Sequence, residues 1–450
     1  MGMAIVPMAS AVPMAKGVAV AKRVVVADGV VVTHASFRIA PSTLLLTLSR
    51  ERISWNPGAH PRGTAEGVRD FSARYGCDRL RCMPSRISSL PRMLCLLAIG
   101  SAAAFAAMKA GVATVKITPQ ELPYFLSGYA ARTKPAETVA QDLHAKALAL
   151  EDASGKRTVL VTIDLIGLPR DLRDDVAADL RKSHDLDSQA LLLNCSHTHS
   201  GPAIRENLEI MFAFNDEHKE KTRRYRQFLR QALASVAGEA LDGLQPASVS
   251  YGVGEADFAA NRRVPWVRQA HPELNAPAPV DHSVPILDVR NAEGKRIAVL
   301  FGYSCHNTTL TGEFLEISGD YAGHAQAAIE KAYPGATAMF LELCGGDQNP
   351  NPRSQKELAA QHGESLAEAV RAALAKPLTP VDGKIRASLV TRRVPLQPRG
   401  KADIEAERSH KDVFHRRRAE WVLARMANGE DVSAVNYPAQ AIRIGDDFVL

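Results

Sequence analysis

From residue 109 onward, apolar runs of strand length alternate with amphipathic runs of helical period, and nothing else in this chain restricts its fold as strongly. Strand-like runs occupy 111–118, 144–152, 158–168, 190–195, 248–256, 284–291, 296–305, 336–346 and 385–396. Helical periodicity occupies 170–184, 220–241, 322–333 and 354–376. The stretch "VRNAEGKRIAVLFGY" reads as a hairpin turning at Asn291-Ala292-Glu293-Gly294. Together these predict an α/β fold: a mixed β-sheet core flanked by helices, with antiparallel hairpin additions and no internal sequence repeat. The closing residues "AIRIGDDFVL" read as half of a second hairpin with its apolar second strand just begun. An unpaired strand would leave ladder groups without partners, so the domain is expected to continue past Leu450.

The net charge of +6 and the pI near 9.0 invite a nucleic-acid reading, but the charge is unevenly placed. Residues 1–92 hold 13 Lys/Arg against 5 Asp/Glu, which leaves the rest of the chain at −2. The bulk of the protein therefore gives no electrostatic case for binding DNA or RNA. Residues 1–92 run from small apolar residues into Arg-rich coil and are expected to be non-globular, either a start-site error or a disordered extension. Residues 93–107, "MLCLLAIGSAAAFAA", follow Arg92 and end in Ala104-Phe105-Ala106, the layout of a secretory signal peptide. A helix over 93–108 spans roughly 24 Å, short of the ~30 Å hydrocarbon core, so a leader fits better than an anchor. Translation from Met93 and a secreted or periplasmic location follow from that reading; its alternative is an apolar helix packed on the domain at 108–450. Beyond these segments only Cys195, Cys305 and Cys344 remain, without CxxC spacing. Neither a disulfide framework nor a thiolate metal site is indicated, and buried thiols are expected.

Two histidines one residue apart, His197 and His199, follow the apolar run "ALLLNC". In α/β sheets, ligands bind beyond the carboxyl ends of strands, and in an extended backbone residues i and i+2 point the same way. His306 in "FGYSCHNTTLTG" stands at the end of another strand, and a third strand runs into "CGGDQNPNP", a turn with exposed backbone N–H groups. A zinc site and histidines that only hydrogen-bond loop carbonyls both fit this pattern. The zinc reading requires His197 and His306 to approach within roughly 5 Å.

The ordered set "CSHTHSGP", "ANRR" (260–263), "SCHNTT" and "GGDQNPNP" resembles the neutral/alkaline non-lysosomal ceramidase family, zinc-dependent amidases that cleave N-acyl sphingosine, over roughly residues 110–450. The resemblance implies His197 and His306 as zinc ligands. It implies His199 as the histidine that activates the attacking group or stabilises the oxyanion, and Arg262 as a substrate-orienting arginine. Asn349 stands where the family carries a functional serine; an amide can donate a hydrogen bond to an oxyanion but cannot act as a hydroxyl nucleophile. The family's remaining ligands, a glutamate and a tyrosine, would lie beyond Leu450, so weak zinc binding and little activity are expected of this chain.

The function expected is therefore a zinc-dependent hydrolase cleaving an N-acyl lipid by metal-activated water, with a small lipid substrate, peripheral membrane contact and no nucleic-acid partner. The alternatives are a non-catalytic lipid- or glycan-binding relative, a hydrolase of another amide or ester, and a thiol enzyme using Cys305 beside His306. Adjacent strand residues face opposite ways, which disfavours the thiol enzyme. Asp164 reads as a brace for a histidine ring or as a loop cap, and Asp320 as the N-cap of helix 322–333. His144 reads as solvated or as supporting the site from behind, His282 and His324 as structural, and "HRRRAEW" (415–421) as a solvated helix face.

Overall fold

A computed structural model describes residues 108–130, 132–204, 211–212, 214–263, 278–446 and 448–450, with four short strands further upstream. The chain divides into two units, Met1–Ser101 and Ala102–Leu450. In the first, Val26–Ala27 pairs with Val30–Val31 and Ser36–Ala40 with Thr43–Thr47, both antiparallel. The rest of the stretch expected to be non-globular, and the leader-like segment 93–107, lie outside the described residues.

The second unit is built on a nine-stranded mixed sheet. Its strands are β1 (Lys109–Lys116), β2 (His144–Glu151), β3 (Arg157–Ile163), β4 (Leu191–Cys195), β5 (Gln245–Glu255), β6 (Ser283–Asn291), β7 (Arg296–Tyr303), β8 (Thr337–Glu342) and β9 (Thr379–Pro380). The order is β8-β7-β6-β5-β1-β2-β3-β4, with β9 beside β5. Four helices accompany it: α1 (Arg170–His184), α2 (Asp216–Asp242), α3 (Asp320–Ala332) and α4 (Lys356–Leu374). Only the outermost pairs, β3–β4 and β7–β8, are parallel, each joined by a crossover helix, α1 or α3. The topology thus repeats although the sequence does not: three antiparallel strands, a helix, a fourth parallel strand and a second helix, twice over.

Among the described residues the strand ladder joins the two halves only at Gln245↔Ala110 and Pro246↔Lys109. They turn their inner faces on one another: Leu148, Leu150 and Leu160 pack in one cluster with Leu287, Val289, Leu300 and Met339. On the outer face of the first half, Ala145, Ala147 and Ala149 meet Val176 and Leu180 of α1 and Leu229 and Leu233 of α2. On the second, Val299, Phe301 and Phe340 meet Ala325 and Ile329 of α3 and Leu366 and Val370 of α4. The result is four layers, helix–sheet–sheet–helix, and strands buried on both faces must read as continuous apolar runs. Asn194 at the end of β4 bonds the backbone of Glu342 at the end of β8 at 3.1 and 3.0 Å, tying the two outermost strands together. The loops that follow them are thereby neighbours.

A separate sheet closes the chain: β10 (Ile385–Pro395), β11 (Ala434–Ile444) and β12 (Phe448–Val449), with α5 (Lys401–Ala406) and α6 (Val413–Ala427) between its first two strands. The apolar second strand read as just begun is β12, which pairs with the end of β11, and β11 pairs along its length with β10. Among the described residues no helix is long and apolar enough to cross a membrane.

Candidate metal centre

The three histidines arrive from two loops. After β4, the His197 N–H bonds the Leu165 carbonyl and its backbone takes φ +59°, so the loop is not extended as expected. This left-handed turn, held by Thr198 Oγ1 donating to Ser318 O at 2.8 Å, is what carries both rings into one place. His199 packs on Gly128, whose φ is +103° and whose absent Cβ would lie 2.3 Å from His199 Nδ1. Only glycine satisfies both conditions. His306 leaves the end of β7, its N–H bonded to Gln348 O at 3.0 Å.

His197 and His306 approach to 3.0 Å between their Nε2 atoms, inside the limit the zinc reading required. His197 Nδ1 lies 2.7 Å from Ile166 O and His306 Nδ1 3.2 Å from Gly345 O. A carbonyl only accepts, so each Nδ1 carries the proton and each Nε2 presents a lone pair. Two acceptors at that distance repel unless a cation lies between them. His199 belongs to the same cluster: ligand atoms of His197, His199 and His306 all lie within 4.8 Å of one another. Both of its ring nitrogens are buried without a hydrogen-bond partner. Burial, then the neighbouring His197 and His306, pushes the His199 ring down to about 2; burial and His197 push His306 down to about 4. Neutral imidazoles with lone pairs turned inward are the donor set that zinc takes, so these residues fit a divalent ion.

Arg262 and Asn349 are brought together by a short antiparallel pair, Ala259–Asn261 with Gln348–Pro350. Arg262 Nε and Nη2 donate to Gly346 O at 3.1 and 2.8 Å, and Nη1 to Asn349 Oδ1 at 3.4 Å. Thr308 Oγ1 donates to the same amide oxygen at 3.4 Å. Most of the Arg262 fork therefore braces the Gly346 turn. Burial and the nearby Arg263 and Arg353 lower its pKa, marking an electropositive corner.

Sequence reasoning missed Arg132. Its guanidinium, 4% exposed, donates to the carbonyls of Ser127, His199, Thr311, Gly312 and Phe314, joining three loops around the histidines with no carboxylate in ion-pair contact among the described residues. It also lies 4.9 Å from the Tyr129 ring, which itself stands 4.9 Å from His199. The only sequence signal was the Gly128-Tyr129 turn ahead of it.

Several expectations need correction. Asp164 braces no histidine ring: it accepts from the His144 N–H at 2.9 Å and from Gln326 Nε2 at 3.2 Å, tying β2 and β3 to α3, and burial raises its carboxyl. Gly319 occupies the cap of α3, and Asp320, one residue on, accepts the N–H groups of Leu310 and Tyr321. The basic run on α6 is not a wholly solvated face, since Arg416 bonds the carbonyls of His410 and Lys411 and Arg418 pairs with Glu407. Of the three thiols expected to be buried only Cys305 is, and burial pushes it well up, in keeping with the disfavoured thiol enzyme; Cys195 is half-buried and Cys344 exposed.

Residues 108–372 match the family profile described as neutral/alkaline non-lysosomal ceramidase, N-terminal. The chain belongs to that family. Two solved structures show the same fold. One, a crystal structure of neutral ceramidase from Pseudomonas aeruginosa, has a TM-score of 0.59 at 20% identity, covering 75% of this chain and 61% of that one. The other, described as ceramidase complexed with C2, has a TM-score of 0.60 at 18% identity, covering 75% and 62%. This ceramidase-family chain thus spans about three fifths of the length of each. Comparison with curated protein sequences finds no match.

Proposed function

We propose that this chain carries the metal-binding part of a zinc-dependent hydrolase that cleaves the amide bond of N-acyl sphingosine or a related N-acyl lipid. The observation that carries the reading is the pair of acceptor nitrogens 3.0 Å apart, His197 Nε2 and His306 Nε2, with family membership supplying the reaction class. When bound, zinc lowers the pKa of a water toward ~7 and polarises a carbonyl. The protein's own residues supply the rest.

His197 and His306 hold the ion, their tautomers fixed by the carbonyls of Ile166 and Gly345. His199, neutral and with neither ring nitrogen hydrogen-bonded, is placed to donate an N–H to the developing oxyanion or to orient the attacking water. Asn349 points its amide oxygen at Arg262 and Thr308, which leaves its NH2 group free to donate to an oxyanion. Asn349 offers no hydroxyl for a covalent route, so attack by water is the consistent path. Arg262 orients the substrate's polar end with the donor capacity that the Gly346 turn does not use. In the test, an N-acylsphingosine with a fluorescent acyl chain is incubated with a molar excess of the purified chain, of which only slow release is expected, with and without a chelator; no release at all with added zinc would count against the proposal. Fatty-acid release that stops on chelation and returns with zinc supports the proposal; release that survives chelation but stops on thiol alkylation removes it.

A further inference from the structure

Helix α3 reaches both sides of the metal centre although it contributes no ligand to it. On the His306 side, fully buried Tyr321 donates its hydroxyl to the carbonyl of Cys305, the residue before the ligand. On the His197 side, Gln326 Nε2 donates to Asp164 Oδ1 at 3.2 Å, and both residues are only 5% exposed. The other oxygen, Asp164 Oδ2, accepts the His144 N–H at 2.9 Å. Past β3 the chain then turns, the Leu165 N–H bonding the Ile163 carbonyl at 2.8 Å across Asp164. The turn presents two successive carbonyls to His197. Leu165 O accepts the His197 N–H at 3.0 Å, where the backbone takes φ +59°, and Ile166 O lies 2.7 Å from the ring Nδ1. A metal-binding imidazole is oriented by the acceptor on its other nitrogen, so whatever holds these carbonyls in place also holds the ligand.

We propose that Gln326 is a positioning residue for the metal centre: through Asp164 and the turn at 165–166 it orients the His197 ring from the opposite half of the sheet, so that α3 sets the spacing of the two ligands. A second buried link between the halves supplies the contrast. Lys146, 4% exposed, donates to Glu330 of α3 at 2.6 Å and to Ala338 O of β8 at 2.9 Å, and neither partner leads to a carbonyl that faces a histidine. The effect of Gln326 on metal uptake rests on the proposed function. Its effect on the ring does not.

The test reads the histidine rings of the metal-free chain by long-range proton–nitrogen NMR and then titrates the chain with cobalt(II). In the wild type, His197 and His306 should both appear as the Nδ1-protonated tautomer. Gln326→Leu, which fills the space without a donor, should turn His197 alone into a mixture of tautomers and weaken cobalt uptake about tenfold or more. Gln326→Asn, one methylene too short to reach Asp164, should do the same, and it stands in if the leucine variant does not fold. Lys146→Met should lower the melting temperature and leave both rings and the cobalt affinity as they are. The exchanged pair, Asp164→Asn with Gln326→Glu, reverses the hydrogen bond and should restore the His197 tautomer and most of the affinity. Three results overturn the proposal: a His197 tautomer unchanged in Gln326→Leu, the same change in Lys146→Met, or an exchanged pair that folds without restoring the ring. A wild type that takes up no cobalt while its His197 ring still responds to Gln326→Leu would remove the metal reading and support the positioning role.

Discussion

Gly128 shows how little tolerance the site has. Replacing it with alanine would set a methyl carbon 2.3 Å from His199 Nδ1 on a backbone at φ +103°. Gly128→Ala should therefore destabilise the fold by about 1–3 kcal/mol in denaturant titration and displace the His199 ring. The histidines themselves should resist acid. In the metal-free protein the folded values of about 4 for His306 and about 2 for His199 lie below the unfolded 6.5. The unfolded chain then takes up protons first, so the stability these two rings contribute is complete above pH 6.5. It is lost as pH falls toward about 4 for His306, and further toward about 2 for His199. Asp320 runs the other way. Burial raises its carboxyl to about 6, so its contribution is complete below the unfolded 3.8 and is lost as pH rises through about 6. NMR titration of the ring protons checks the histidine claim directly: neither ring should titrate between pH 8 and 5, and a midpoint near 6.5 would contradict it.

At the scale of elements, the site depends on loops that follow strand ends, and Arg132 is the residue that binds those loops to each other. Its donors reach carbonyls in the 127 loop, at His199 and across 311–314. Arg132→Met should leave these buried carbonyls unpaired and cost about 2–4 kcal/mol, read by thermal or denaturant unfolding. Arg132→Lys should recover only part, because an ammonium cannot reproduce the planar fork. Most element positions were legible beforehand: α1 coincides with the helix read at 170–184, and β2, β6 and β7 begin within one residue of their expected starts. Where the reading slipped, a local signal had been passed over. Helix α2 starts at Asp216 and not at 220, because Asn215 caps it by accepting the His218 N–H. The strand read at 158–168 stops at Ile163 because Asp164 leaves the ladder to join His144 and Gln326. The histidines at 197, 199 and 306 were legible as a set. Arg132 was not, because a surface arginine and one that bonds five carbonyls look the same in sequence.

For the whole molecule, the apolar runs announced strands buried on both faces but not what lay against each face. That two half-sheets would close on one another followed from no local pattern, because it depends on the two-residue junction between β1 and β5 and on contacts distant in sequence. Leu148, fully buried in the layer between the halves, tests that closure. Leu148→Ala should cost about 2–5 kcal/mol in global stability. An exposed leucine on a single-layer sheet would lose far less. The same closure lets the loops after β4 and β7 meet, so the metal centre is a property of the assembled halves and of neither half alone.

The most direct test of the central claim is titration of the metal-free chain with cobalt(II), followed by its visible absorption and checked by zinc competition. Uptake of about one equivalent with d–d bands of low coordination number, weakened about tenfold or more in His197→Ala and in His306→Ala while each variant still melts cooperatively, is the predicted result. Absence of uptake, or uptake that both substitutions leave unchanged, would contradict it.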